Sequence, residues 1–167
     1  VIPGGRSPGP ILTAFAVMLD PFVRDHLHLL WLDERAVPKG HADRNDQPTI
    51  AAWQAGGPLP KYVHPMPAED NDLAAAADRY AQTLREATRG HGLNACLVGI
   101  GEDGHCASLF PNHPGLHELS DVFPVFDSPK PPPQRLTMSL PVLLRADALV
   151  ILALGAAKGQ ITRETGK

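Results

Sequence analysis

The sequence predicts an α/β fold, a Rossmann-like and mostly parallel sheet flanked by helices, in a single domain over residues 1–167. Two observations carry this. Apolar runs of strand length, His26 to Leu32 ("HLHLLWL"), Ala95 to Ile100 ("ACLVGI") and Ala148 to Leu154 ("ALVILAL"), alternate with helix-like segments, which is the pattern of parallel βαβ units. The chain of 167 residues, 43% hydrophobic and 20% charged, is long enough for one core and too short for two ordinary ones.

Taken in order, "SPGPILTAFAVMLD" reads as a turn and then a helix starting near Pro10, with Ile11, Ala14, Phe15 and Met18 on one face. The three apolar runs are expected to be central strands. Asp72 to Gly90 is the clearest helix: Leu73, Ala77, Tyr80 and Leu84 recur at helical spacing, Asp70 to Asp72 offer caps and Gly90 a stop. The proline-rich stretch from Pro111 to Pro133 contains one short strand candidate, Val122 to Phe126, and reads as an ordered excursion that shapes a site. After it, "RLTMSL" predicts a short strand and "PVLLRAD" a helix with Pro141 in its first turn.

Charge and composition exclude several function classes. A formal net charge of −3 without a Lys/Arg cluster argues against nucleic acid as a partner. No apolar run approaches the roughly 20 residues of a membrane span. Cys96 and Cys106 read as free thiols in a reducing compartment, and "VIPGGRSPGP" lacks the basic and apolar regions of a signal peptide, so a cytoplasmic location is the expectation. Oligomeric state is not legible.

In a doubly wound sheet, ligands bind where loops leave the carboxyl ends of the strands. Four loops qualify: "GGRSP" (Gly4 to Pro8), "DERAVP" (Asp33 to Pro38), "GEDGH" (Gly101 to His105) and "GAAK" (Gly155 to Lys158). Gly4 and Gly5 let the backbone approach an anion ahead of a helix N-terminus, with Arg6 and Ser7 adding a charge and a hydroxyl; a plain tight turn is the competing reading. Arg35 can hold a phosphate or carboxylate bidentately, with a surface ion pair or helix cap in "DER" as the competing reading, and Lys158 supplies a point charge, though such a lysine alone is more often a solvated surface residue. His105 carries an imidazole, with an ordinary pKa of about 6.5, in a glycine turn after a strand, which suits a general base as well as it suits a structural role. Asp103 beside it could orient the ring or bind hydroxyls. A metal site is disfavoured: His26 and His28 alternate on a strand, while the helical spacing of His113 and His117 is broken by Pro114 and Gly115.

These motifs, with "WLDERAVP" and "DRND", "LVGIGEDGHCASLFP", "SPKPPPQRLTMSLPVL" and "GAAKG", occur in an order and spacing that resembles the glucosamine-6-phosphate isomerase/6-phosphogluconolactonase family over nearly the whole chain. "ASLFP" after His105, and "DER" rather than "DEY", resemble its lactonase branch. The resemblance implies hydrolysis of 6-phospho-D-glucono-1,5-lactone, a small sugar-phosphate lactone, to 6-phosphogluconate in the oxidative pentose phosphate pathway, without a cofactor. It implies His105 as base with Asp103 beside it, and Gly4, Gly5, Ser7, Arg35 and Lys158 around the phosphorylated substrate. Asn45 matches the family asparagine after the DER motif, and Arg135 the arginine of its "R-[IL]-T" element, as a binding or a structural residue. Glucosamine-6-phosphate deamination, or sugar-phosphate binding without turnover by a regulator or fragment, are the alternatives. The chain departs from the family at the usual "SGGST" loop, where Pro3, Arg6 and Ser7 stand for Ser, Ser and Thr, and at Arg44, which stands for a serine. Against the family it also reads as truncated at both ends, with Val1 and Ile2 as the remnant of a central strand.

Overall fold

The computed structural model describes residues 1–5, 7–155 and 158. Arg6, one of the expected phosphate ligands, lies outside them. The elements run α1 (Gly9–Met18), α2 (Pro21–His26), β1 (His28–Leu30), β2 (Asp33–Arg35), α3 (Asp46–Gln54), β3 (Tyr62–His64), α4 (Leu73–Thr88), β4 (Ala95–Gly99), β5 (Val122–Val125), β6 (Arg135–Met138), α5 (Leu140–Leu144) and β7 (Ala148–Leu152).

The parallel part of the sheet is joined through the first two residues. β1 pairs with β3, and β4 with β7, both in parallel. Between them, Ile2 donates its N–H to Leu30 and accepts from Leu32, while the Val1 carbonyl accepts from Leu97. The spatial order is therefore β3, β1, Val1–Ile2, β4, β7, with Val1–Ile2 at the centre of the sheet. β7 differs from the expectation of a central strand: among the described residues it pairs with β4 alone, and Leu149, Val150 and Ile151 are exposed.

The chain of β1 continues through Trp31 and Leu32 into β2, which leaves the parallel sheet and joins an antiparallel unit of order β2, β6, β5. The segment "DER" is thus a strand and not only a loop. Its charges are tolerated because each has a built partner, as described below.

Helix α4 has the caps its sequence announces. Asp72 accepts from the Ala75 N–H at 3.0 Å, and the helix ends at Arg89 (φ 52°) and Gly90 (φ 75°), both left-handed. Its buried face includes Leu73, Ala77, Tyr80 and Leu84. The Tyr80 hydroxyl accepts from the Trp31 N–H at 2.9 Å and donates to the His64 carbonyl at 2.9 Å, which fixes the helix across β1 and β3. Helices α1 and α3 pack on one another. Gly56 sits where any Cβ would fall 2.1 Å from the Thr13 carbonyl oxygen, and Phe15 meets Trp53 edge-on at 5.6 Å. No described helix is long and apolar enough to cross a membrane. Both cysteines are free thiols.

Candidate active site

A pocket of about 220 Å³ opens at the carboxyl ends of Val1–Ile2, β1–β2, β4 and β7. Gly4, Gly5, Ser7, Arg35, Asn45, His105, Arg135 and Lys158 all line it, so eight of the ten residues singled out in the sequence meet there. Of the other two, Asp103 stands directly behind His105, and Arg6 lies outside the described residues.

Each wall is built by local constraints. Gly5 adopts φ 87°, a left-handed backbone that favours glycine. Gly4 has another reason to be glycine: a Cβ there would fall 1.9 Å from the Asn45 side chain. The loop can therefore lie directly on Asn45, whose own amide donates to the Asp33 carbonyl and carboxylate at 3.0 and 3.2 Å. Asn45 thus braces the loop and β2 while it faces the pocket.

The turn after β4 is closed by Gly101 N–H to the His105 carbonyl at 2.8 Å, with Gly104 at φ 85°. The His105 Nδ1 lies 2.5 Å from Asp103 Oδ1, and the second Asp103 oxygen takes an ion pair from Lys130 at 3.0 Å. Burial of Asp103 works against its charge, but the hydrogen bonds from His105 and Lys130 outweigh it and hold the carboxyl well below its ordinary range. An ionised carboxylate can only accept, so Nδ1 carries the proton and the lone pair of neutral His105 is on Nε2. The ring also packs on Phe110 with centroids 4.9 Å apart, and the Arg135 guanidinium lies over the same phenyl at 5.6 Å.

Arg135 itself is buried. Its Nε and Nη2 donate to the carbonyls of Pro132, Lys130 and Pro131, all at 3.1 Å, and Nη1 approaches Ser108 Oγ at 3.5 Å. Most of its donors thus hold the proline-rich segment in place. Ser108 in turn donates to Asp33 at 2.8 Å. A continuous buried polar chain, Asn45–Asp33–Ser108–Arg135, underlies the pocket floor. Arg35 differs from these: Nη1 donates to the Asp43 carbonyl at 2.7 Å, but the buried Nε has no hydrogen-bond partner among the described residues. A buried donor without a partner is costly, and the Arg35 side chain lines the pocket.

Lys130, Phe110 and Ser108 are the site residues that sequence reasoning left without a role. Two of them, Ser108 and Phe110, stand within "HCASLFP", and the signal was their closeness to His105. Among the described residues no three His, Cys, Asp or Glu side chains converge as a metal site would need. His28 and His64 instead stack on each other, with Nδ1 and Nε2 3.0 Å apart, and His113 caps the turn Pro114–His117.

Gly101 carries a testable consequence. A Cβ there would lie 2.2 Å from the His105 ring and 2.6 Å from Asp103 Oδ1, so the ring must move. Gly101→Ala is expected to lower turnover by about 100-fold, the scale of a 1 Å misplacement of a reacting group. Melting temperature should change little. Steady-state rates beside a thermal melt check this, and an alanine variant with normal turnover would contradict the placement of the ring.

Comparison with known proteins bears on the family. The family model for glucosamine-6-phosphate isomerases/6-phosphogluconolactonase matches residues 1–167. A 6-phosphogluconolactonase of Streptomyces coelicolor is 40% identical over 172 residues, covering 95% of this chain and 66% of that protein. One from Mycobacterium leprae is 39% identical over 168 residues, covering 95% and 68%. The crystal structure of 6-phosphogluconolactonase from Thermotoga maritima superposes with a TM-score of 0.85 at 25% identity, covering 98% of this chain and 72% of that one. The chain spans about two thirds of the length of these two curated relatives. With the glycine loop, the "GEDGH" turn and the matching fold together, the chain belongs to the glucosamine-6-phosphate isomerase/6-phosphogluconolactonase family.

Proposed function

We propose that this chain hydrolyses 6-phospho-D-glucono-1,5-lactone to 6-phosphogluconate, the lactone-opening step of the oxidative pentose phosphate pathway, with His105 as general base. The observation that carries the reading is the Asp103–His105 pair, at 2.5 Å, on the rim of a pocket whose other walls are the Gly4–Gly5 loop, Arg35 and Lys158. Its relatives in Streptomyces coelicolor and Mycobacterium leprae carry the name 6-phosphogluconolactonase.

The chemistry follows from the arrangement. The phosphate is held by the glycine loop, Lys158 and the Arg35 guanidinium, which sets the lactone carbonyl in the reach of His105. Neutral Nε2 takes a proton from water as its oxygen attacks the carbonyl carbon. The ring C–O bond then breaks, and the departing alkoxide recovers that proton from the imidazolium, so the ring histidine is regenerated. Asp103 accepts from Nδ1–H throughout and stabilises the transient imidazolium.

The decisive test is a lactonase assay corrected for spontaneous hydrolysis, run beside glucosamine 6-phosphate with ammonia detection. Lactone turnover without ammonia supports the reading; ammonia release, or binding of 6-phosphogluconate without turnover, overturns it. The phosphate role has its own expectation. Arg35→Ala and Lys158→Ala should each raise KM for the phosphorylated lactone by about 10-fold or more, the scale of one charged hydrogen bond of about 1.5–3 kcal/mol. The same variants should leave an unphosphorylated gluconolactone unaffected, and equal effects on both would contradict anchoring.

A further inference from the structure

We infer that Lys130 is a positioning residue of this site: reaching in from the proline-rich segment, it clamps the outer oxygen of Asp103 and thereby sets the orientation and basicity of His105. The inference rests on the function proposed above and extends it to a residue outside the catalytic turn.

Two features of the geometry make the clamp a built one. The backbone of Lys130 is pinned at both ends. Its N–H donates to Ser128 Oγ at 3.2 Å, and its carbonyl accepts from Ser128 Oγ at 2.8 Å and from the Arg135 guanidinium at 3.1 Å. Arg135 is buried and also holds the next two carbonyls, so the loop presents the lysine from a fixed base. The ammonium then bonds Asp103 Oδ2 at 3.0 Å while Oδ1 holds His105 at 2.5 Å. Both carboxylate oxygens are engaged, on opposite partners, and the carboxylate cannot rotate without losing one of them.

The electrostatic consequence has a definite sign. A cation behind Asp103 opposes a second positive charge on His105 and draws off part of the carboxylate's attraction for it. Removing the Lys130 charge while keeping Asp103 therefore favours the imidazolium. Among the described residues, the remaining charged and titratable groups around the pair are Glu102 and Cys106 on the same turn, His113 beyond Phe110, and Asp33, Arg35, Arg135 and Lys158 across the pocket. None of these is altered by a change at Lys130. Because the Lys130 side chain is 43% exposed, a neutral replacement should leave the fold intact.

The experiment is an NMR titration of the His105 imidazole in the full chain, for wild type, Lys130→Met, Lys130→Arg and the same lysine change in an Asp103→Asn background. Lys130→Met is expected to move the His105 midpoint up by about half to one pH unit, the scale of a partly screened charge at this range. Lys130→Arg should restore it. In the Asp103→Asn background the lysine change should have a much smaller effect, since the route through the carboxylate is gone. A midpoint that does not move in Lys130→Met, or that moves equally without Asp103, overturns the inference. This readout needs no turnover, so it is separate from the lactonase assay that tests the reaction. Where the wild type turns over lactone, the same shift should appear in the acid limb of kcat/KM with KM nearly unchanged. A raised KM with an unmoved limb would make Lys130 a substrate contact and overturn the positioning role.

Discussion

Replacing His105 with alanine is expected to lower kcat on 6-phosphogluconolactone by about 10²–10⁴-fold, the usual range for loss of a general base. KM should move little, because the proposed phosphate contacts are on the glycine loop, Arg35 and Lys158 and not on the imidazole. The variant should also lose the acid limb of the rate profile. In the proposed mechanism the neutral ring is the active form, so the wild-type rate should fall as pH drops through the histidine range, and a chain without that ring has nothing there to protonate. Asp103→Asn gives a useful contrast. The amide can still meet Nδ1 but can act as a donor, which favours the wrong tautomer and leaves Nε2 protonated, so turnover should fall while the pocket stays intact. A His105→Ala protein whose kcat, corrected for spontaneous hydrolysis, matches wild type would remove His105 from the mechanism.

The parts of this site that were legible in the sequence are those whose requirements are local. A glycine turn after an apolar strand announces itself, and so does a glycine pair ahead of a helix; both loops line the pocket as expected. What could not be read is what distant segments bring to them. Lys130 belongs to "SPKPPP", where composition predicts an ordered excursion but not the carboxylate it meets. β2 was hidden because "DER" has no apolar alternation; it forms a strand through its ladder with β6 and through a partner for each side chain, buried for Asp33 and Glu34 and exposed for Arg35. The helix α3 has a weak apolar face, so periodicity passes over it, although Asn45, Asp46 and Pro48 are start signals. The same holds for α2, where Asp20 caps Phe22 at 2.8 Å with Pro21 as the first helical residue. Capping chemistry was the overlooked signal there. β3 is three residues long with a proline just beyond it, too short for any pattern.

Arg44 shows how a departure from the family pattern can be a structural device, and it leads to the largest expected loss of stability. Its side chain is fully buried. The guanidinium donates to Asp46 at 2.9 Å, to Glu69 at 2.9 Å and to the carbonyls of Met66 and Val37, and lies 3.7 Å from Glu34. Glu34, equally buried, accepts the backbone N–H groups of Arg35, Asn45 and Asp46 at 2.7–2.9 Å, so it ties β2 to the start of α3. Arg44→Ser would strand these carboxylates, and losing one partner of a buried ionic cluster costs about 3–5 kcal/mol. For a domain of this size the melting temperature should fall by about 10 °C or more. The loss has a pH signature. Burial pushes Glu34 up to about 7, against the pull of its backbone donors and Arg44. A raised carboxyl contributes stability that is fully present below its ordinary range and lost as pH rises through the folded value. Without Arg44 the folded value rises further, so the penalty should be larger near pH 8 than near pH 5. Glu69 acts oppositely: burial disfavours its charge, but Lys39 and Arg44 outweigh it and hold it low. Its contribution is lost only as pH falls below the ordinary carboxyl range, so it adds a constant share to the loss over that window. Melting curves of wild type and Arg44→Ser across this range decide the matter, and a variant as stable as wild type, or a penalty that grows toward acid pH, would contradict the assignment of Arg44 as counter-charge to Glu34.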